Sequence, residues 1–174
     1  QGGEPSFVAA GSVLDADPAD HALAVVCAPN NPTGTDYERG ELERFAARCR
    51  AADTTLLVDE AFRGFTDRPS LAGTEGVVVA RSLTKLFGLP GIRTGFAVAT
   101  GEFGAALERA RRPWNVSVPA LATGAHCMRQ DAFISNTRER VRAERSRMAA
   151  ALSERYDVVP SEAPFLLLDV GEAG

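Results

Sequence analysis

The sequence predicts an α/β fold, a mostly parallel sheet sandwiched by helices, and three observations carry that reading. Short runs rich in Val and Leu alternate with a stretch of helical period, the pattern of a strand, helix, strand crossover. The runs are apolar throughout, as strands buried in a sheet should be. With 174 residues, the chain is also long enough for one domain with a real core, burying roughly 70% of its unfolded surface.

The elements follow in order. "ALAVVCA" (22–28) has strand length and closes in the turn signal "PNNPTG". Leu42, Phe45, Ala46 and Cys49 then recur at helical spacing, which predicts an amphipathic helix over about Tyr37 to Ala52. "TTLLVDEAF" is the next strand, and the crossover between the two should be right-handed and parallel. "GVVVARS" and "TGFAVAT" are two further strands joined by a polar loop instead of a helix. Either one of them runs antiparallel or the loop crosses the sheet. "GEFGAALERARR", closed off by Pro113, and "VPALATGAHCMRQ" read as helices. A longer helix runs from about Ala132 to Tyr156, with Phe133, Thr137, Val141, Met148, Leu152 and Tyr156 near one stripe. Strand character resumes in "YDVVPSEAPFLLLDV", interrupted by two prolines, which predicts a change of sheet or domain near Pro160.

Composition narrows the function classes. Hydrophobic content of 45% and charge of 24% describe an ordinary globular protein. A net charge of −4, with the arginines of "RERVRAERSR" interleaved with acids, argues for a solvated helix face and against a nucleic-acid surface. Cys27, Cys49 and Cys127 are far apart and lie in apolar or helical patterns, so buried thiols in a reducing compartment are expected. His21 and His126 lack a ligand-spaced partner, so no metal site is expected. No apolar run approaches the roughly 20 residues of a membrane span and no secretory segment opens the chain, which predicts a cytoplasmic protein without membrane contact. The chain begins in "QGGEPSF" without Met and stops at "LLLDVGEAG". A piece of a longer polypeptide is expected.

The polar residues that stand out lie at the ends of predicted strands, where an open parallel sheet gathers ligand-binding groups. Asn31 follows the first strand, Asp59 ends the second, Ser82 and Lys85 follow the third, and Arg93 comes shortly after. Singly, each has an ordinary structural reading as turn, cap or surface charge. Lys85 is different, because it is the one lysine in a chain whose other basic residues are all arginine. An amine can lose its proton and attack a carbonyl carbon to form a Schiff base, whereas a guanidinium stays charged. A nucleophilic lysine accompanied by an acid and an arginine suggests pyridoxal phosphate, whose ring nitrogen needs an ionic partner. Asp59 would hold that nitrogen protonated, Arg93 and Ser82 would bind the phosphate, and Asn31 would donate its amide to the phenolic oxygen.

"PNNPTG", "LLVDEAF" and "RSLTKLFGLPGIRTGF", in that order, resemble the large-domain core of the fold type I, class I and II pyridoxal-phosphate aminotransferases. The resemblance covers about residues 22 to 130 and implies Lys85 as the cofactor-bearing lysine and proton shuttle. It places Asp59 on the pyridine nitrogen, Asn31 on the ring oxygen, and Ser82 and Arg93 on the phosphate. It also implies a cis peptide between Asn31 and Pro32, a geometry accessible at low cost only before proline. The family layout assigns 1–130 to part of the cofactor-binding large domain, 131–156 to a connecting helix, and 157–174 to the truncated start of a small α+β domain. A homodimer is implied for the parent enzyme. The family's substrate-carboxylate arginine, ring-stacking aromatic residue and glycine-rich phosphate turn belong to segments outside this chain, so the chain alone is not expected to be a complete enzyme.

Within the family, Phe62 stands where a tyrosine usually offers its hydroxyl to the ring oxygen, and Phe62 therefore contributes to the cofactor site by packing only. "RSLTK" departs from the segment common in histidinol-phosphate aminotransferases, and "RRPWNVSVPALATGA" is similar to threonine-phosphate decarboxylases of cobalamin synthesis. The reading that follows is a decarboxylase of O-phospho-L-threonine, with an aminotransferase acting on histidinol phosphate as the alternative. A non-catalytic binding or regulatory domain of the same fold is the remaining reading. The retained lysine, aspartate and arginine argue against it.

Overall fold

A computed structural model describes residues 3–171; residues 1–2 and 172–174, the outer ends of the first and last expected segments, lie outside the described residues. Strands β1 (Leu23–Cys27), β2 (Thr55–Asp59), β3 (Val77–Ser82) and β4 (Gly95–Val98) form one sheet in the order β1-β2-β3-β4. The first three are mutually parallel and β4 is antiparallel to β3. The open choice at the lysine loop is thereby resolved in favour of an antiparallel strand. Helix α1 (Arg39–Ala51) makes the crossover between β1 and β2.

Helix α1 starts where Glu38 and Glu41 form a reciprocal capping box, so two backbone donors that lack helical partners are satisfied. Arg48 and Arg50 in its last turn face the negative end of the helix dipole. Its apolar stripe, Leu42, Phe45, Ala46 and Cys49, is buried against Val26, Leu56, Val58, Val77 and Val79 of the sheet. Registered partners in a sheet point to one side, so these strand residues define a core face. The opposite face carries Leu23, Val25, Cys27, Asp59 and Ser82, and on it Leu23 and Val25 remain 52% and 55% exposed.

Helices α2 (Gly101–Ala110), α3 (Val118–Cys127) and α4 (Asp131–Leu152) follow. Ser117 caps α3 by accepting a hydrogen bond from the Ala120 amide. Strands β5 (Asp157–Val159) and β6 (Leu167–Asp169) form a separate antiparallel pair, so the two prolines of that segment lie in a connecting turn and not in one interrupted strand. Among the described residues no helix is long and apolar enough to cross a membrane.

Two expectations are corrected here. Cys49 and Cys127 are buried but Cys27 is only half-buried; all three are free thiols. The arginine run of α4 is not simply solvated. Arg138 donates to the Gly64 carbonyl at 3.2 Å and, with Arg142, clasps the Asp67 carboxylate, while Arg145 donates to the Ala163 carbonyl at 3.1 Å. Meanwhile Phe133 and Met148 of the expected apolar stripe are 47% exposed. Arginines therefore hold α4 to the turn after β2, through Arg138 and Arg142, and to the turn between β5 and β6, through Arg145.

That attachment has a definite pH dependence. Hydrogen bonds from Arg142 and Arg138 hold the Asp67 carboxyl below its ordinary value of 3.8. A carboxylate lowered in the folded state stabilises above its unfolded pKa and loses that contribution as pH falls through the folded one. Docking of α4 on residues 64–67 should therefore be unaffected from neutral pH down to about 4 and loosen below it. Amide exchange of α4 measured on either side of that pH checks this, and equal protection on both sides would refute it.

Candidate active site

The expected site residues come to one edge of the sheet because of strand direction. β1, β2 and β3 are parallel, so their carboxyl ends share an edge, with Cys27 opposite Asp59 and Asp59 opposite Ala80. β4 runs the other way and places its first residue, Gly95, opposite Ser82. Arg93, just ahead of β4, is thereby returned to the edge from which Lys85 departs. Asp59, Ala80, Ser82 and Gly95 also fall on one face by register.

Each side chain is set by its local backbone. Asn31 is exposed in the turn after β1, where both Ala28–Pro29 and Asn31–Pro32 are cis. That turn is held by Asn30, whose amide N–H donates to the Thr35 carbonyl at 2.7 Å and whose side chain donates to Thr33 Oγ1 at 2.9 Å. Gly34 has φ +73°, and a Cβ there would lie 2.0 Å from Ser161 Oγ, so only glycine admits the turn between β5 and β6. The Glu162 amide donates to the Gly34 carbonyl at 2.8 Å.

Asp59 is half-buried at the end of β2, and its Oδ1 accepts the Ala61 amide at 2.9 Å. One carboxylate oxygen thus fixes the turn and the other is available to a ligand. Phe62 packs edge-on against Phe165 at 5.1 Å between centroids and tilted against Phe65 at 6.5 Å. Ser82 Oγ lies 2.7 Å from Thr84 Oγ1 and accepts the Thr84 amide at 3.2 Å. Lys85 is exposed on the following loop, whose Phe87 stacks on Phe133 of α4 at 5.6 Å. Arg93 adopts a left-handed conformation, φ 53°, and donates from Nη1 to the Pro90 carbonyl at 3.1 Å. Its remaining donors stay available.

Gly95 permits the closeness of β3 and β4, since a Cβ there would lie 2.5 Å from the Arg81 carbonyl oxygen. Burial, with the Asp59 charge adding to it, pushes the Cys27 thiol up, partly offset by a backbone hydrogen bond from Asn31. That thiol is therefore a neutral neighbour of the carboxylate at neutral pH. Among the described residues no group of three or more His, Cys, Asp or Glu is placed to hold a metal ion.

Thr84 was missed by sequence reasoning, although it lies between Ser82 and Lys85 and offers a second hydroxyl beside the first. So was an ionic cluster beneath the site: Arg63 Nη1 donates to Asp36 Oδ2 at 2.6 Å, with side-chain exposures of 3% and 0%. Glu60, also buried, accepts from Ser70 Oγ at 2.7 Å and from the Leu71 amide at 3.0 Å. The two-residue period that buries Leu56 and Val58 points Glu60 inward as well, so that part was legible.

The donor set fits pyridoxal phosphate: an exposed amine for a carbonyl carbon, a carboxylate oxygen for a ring N–H, an amide for a ring oxygen, and hydroxyls with a guanidinium for a phosphate. Comparison with known proteins shows the family. The family model "Aminotransferase class I and II" matches residues 3–174. The chain belongs to that family. A histidinol-phosphate aminotransferase 2 of Methylococcus capsulatus is 34% identical to this class I and II aminotransferase chain, over 92% of the chain and 45% of its own length. A threonine-phosphate decarboxylase of Sinorhizobium is 42% identical over 74% of the chain and 40% of its length. The crystal structure of L-threonine-O-3-phosphate decarboxylase from Porphyromonas gingivalis superimposes with a TM-score of 0.78 at 25% identity, covering 90% of the chain and 50% of the other. The chain thus spans half or less of the length of these relatives. Its fold is that of the pyridoxal-phosphate enzymes of fold type I.

Proposed function

We propose that the chain carries the cofactor-binding half of a pyridoxal-phosphate enzyme acting on a phosphorylated amino acid or amine, and that its reaction is the decarboxylation of O-phospho-L-threonine in cobalamin synthesis. The observation that carries the cofactor assignment is the gathering of Asn31, Asp59, Ser82, Lys85 and Arg93 at one sheet edge, through three parallel strands and one antiparallel return. The choice of decarboxylase is supported by Phe62, by "RSLTK" and "RRPWNVSVPALATGA", and by the 42% identity to such an enzyme. The second reading, amino transfer to or from histidinol phosphate, is supported by the 34% identity to that aminotransferase over a larger share of the chain.

When bound, pyridoxal phosphate supplies a sink for the electron pair left on the substrate α-carbon. The chain's residues divide the remaining work. Lys85 Nζ would hold the cofactor at its carbonyl carbon and would serve as the proton carrier at the substrate α-carbon. Asp59 would keep the pyridine nitrogen protonated, Asn31 would donate to the ring oxygen, and Ser82 and Arg93 would hold the phosphate, with Thr84 beside Ser82. Phe62, lacking a hydroxyl, packs and does not donate. In decarboxylation Lys85 returns a proton to the α-carbon; in amino transfer it takes one away. In the same reading residues 1–130 belong to the large domain, 131–156 connect, and 157–174 begin the small one, with a cytoplasmic homodimer as the working form.

The deciding experiment supplies the full-length protein and pyridoxal phosphate with O-phospho-L-threonine and, separately, with histidinol phosphate, following carbon dioxide release and glutamate formation from 2-oxoglutarate. Carbon dioxide without glutamate is expected. Glutamate without carbon dioxide would replace the decarboxylase by the aminotransferase, and neither product with either phosphorylated substrate would overturn both readings.

A further inference from the structure

The buried ionic cluster mirrors the site through the sheet. Glu60 is adjacent to Asp59, Arg63 to Phe62, and Arg81 to Ser82, and Asp36 closes the turn that carries Asn31. Successive strand residues point to opposite faces, so Glu60 and Arg81 lie on the core side directly behind two residues of the site. Arg63 joins these pieces: Nη1 is 2.6 Å from Asp36 Oδ2 and Nε is 3.9 Å from Glu60 Oε1. Arg81 Nε stands 3.8 Å from Glu60 Oε2, and Arg68 reaches Asp36 at 3.6 Å and also pairs with Glu38.

Stability does not account for this arrangement. A buried ion pair is often replaceable by apolar residues of similar volume without loss of stability. Here the cost is higher still, because Arg63 Nε and Nη2 have no hydrogen-bond partner among the described residues. What the cluster supplies is direction. The hydrogen bond from Nη1 to Asp36 fixes one side of the planar guanidinium, and the 3.9 Å ionic contact of Nε with Glu60 draws its other side toward the turn after β2. An apolar cluster in the same place would fill the volume and leave the 30–36 turn free to slide against the 59–63 turn.

Resting on the cofactor reading above, we infer that Arg63 is a positioning residue of this enzyme: by bridging Asp36 and Glu60 it fixes the relative height of the turns that present Asn31, Asp59 and Phe62 to the cofactor. Ser70 extends the same function by holding Glu60.

The test uses the full-length protein freed of cofactor. The dissociation constant for pyridoxal phosphate, the absorbance maximum of the bound form and the melting temperature of the free form are measured for the wild type, Arg63→Lys and Ser70→Ala. Lysine keeps the charge but its single ammonium cannot span both carboxylates. In Arg63→Lys the dissociation constant should rise by about 10–100-fold, the loss of affinity seen when the supporting partner of a metal-liganding group is removed, and the absorbance maximum should move. Ser70→Ala should show a smaller rise in the same direction, and it decides the matter if Arg63→Lys does not accumulate as folded protein. Lower melting temperatures with unchanged affinity and absorbance would reduce Arg63 to a packing residue and overturn the inference alone. No uptake of pyridoxal phosphate by the wild type would overturn the cofactor reading with it.

Discussion

Replacing Lys85 by arginine in the full-length protein is expected to leave no cofactor that borohydride can fix to the chain, with turnover reduced by about 10⁴-fold or more. Two contributions vanish together. The guanidinium cannot deprotonate to hold the carbonyl carbon, and the proton transfer that a positioned amine supplies, about 10²–10⁴-fold, is lost with it. The fold should be indifferent, because Lys85 is exposed and exposed substitutions away from special features usually change stability by about 0.5 kcal/mol or less. The readout is clean for a sequence reason: Lys85 is the one lysine among the 174 residues. Any reduced lysine adduct found by mass spectrometry in this stretch of the wild type must lie there. An adduct that persists in Lys85→Arg would contradict the assignment.

The parts of the fold that were legible in the sequence are those governed by short-range periodicity. The apolar runs gave β1, β2 and β3, and the spacing of Leu42, Phe45, Ala46 and Cys49 gave α1 and its buried stripe. That the candidate site residues share one edge was legible for a different reason: they follow the ends of strands that were themselves legible, and parallel strands bring those ends together. The direction of β4 was left open because a loop of this length permits either geometry. Apart from the inward-facing Glu60, the ionic cluster was not legible. Arg63 and Asp36 meet across 27 positions and Arg138 meets Asp67 across 71, and no local pattern encodes a partner that far away. For the same reason the mixed-charge run of α4 resembled a solvated face, although several of its arginines serve as fasteners. Cys27 was expected to be buried from its apolar strand, but it sits on the face where Leu23 and Val25 are exposed.

The Asp59→Asn variant separates an electronic role from a packing role. Asn is nearly isosteric with Asp, and its side-chain carbonyl can still accept the Ala61 amide that Asp59 Oδ1 accepts at 2.9 Å. The turn at residues 59–61 and the paired strands around it should therefore survive, and the melting temperature should be close to that of the wild type. What is lost is the negative charge. A carboxylate within hydrogen-bond reach favours the protonated form of a ring nitrogen, and an amide does not. In the proposed assignment the electron sink then weakens, although Lys85, Ser82 and Arg93 would still hold the cofactor. We expect the cofactor to bind, KM to change little and kcat to fall by about 10²–10³-fold, the size of loss seen when a group that stabilises developing charge is removed. A loss confined to the transition state lowers kcat and kcat/KM together, whereas a disturbed pocket raises KM or releases the cofactor. Release of the cofactor with normal turnover on resupply would make Asp59 a structural anchor, and full turnover without release would remove it from the mechanism.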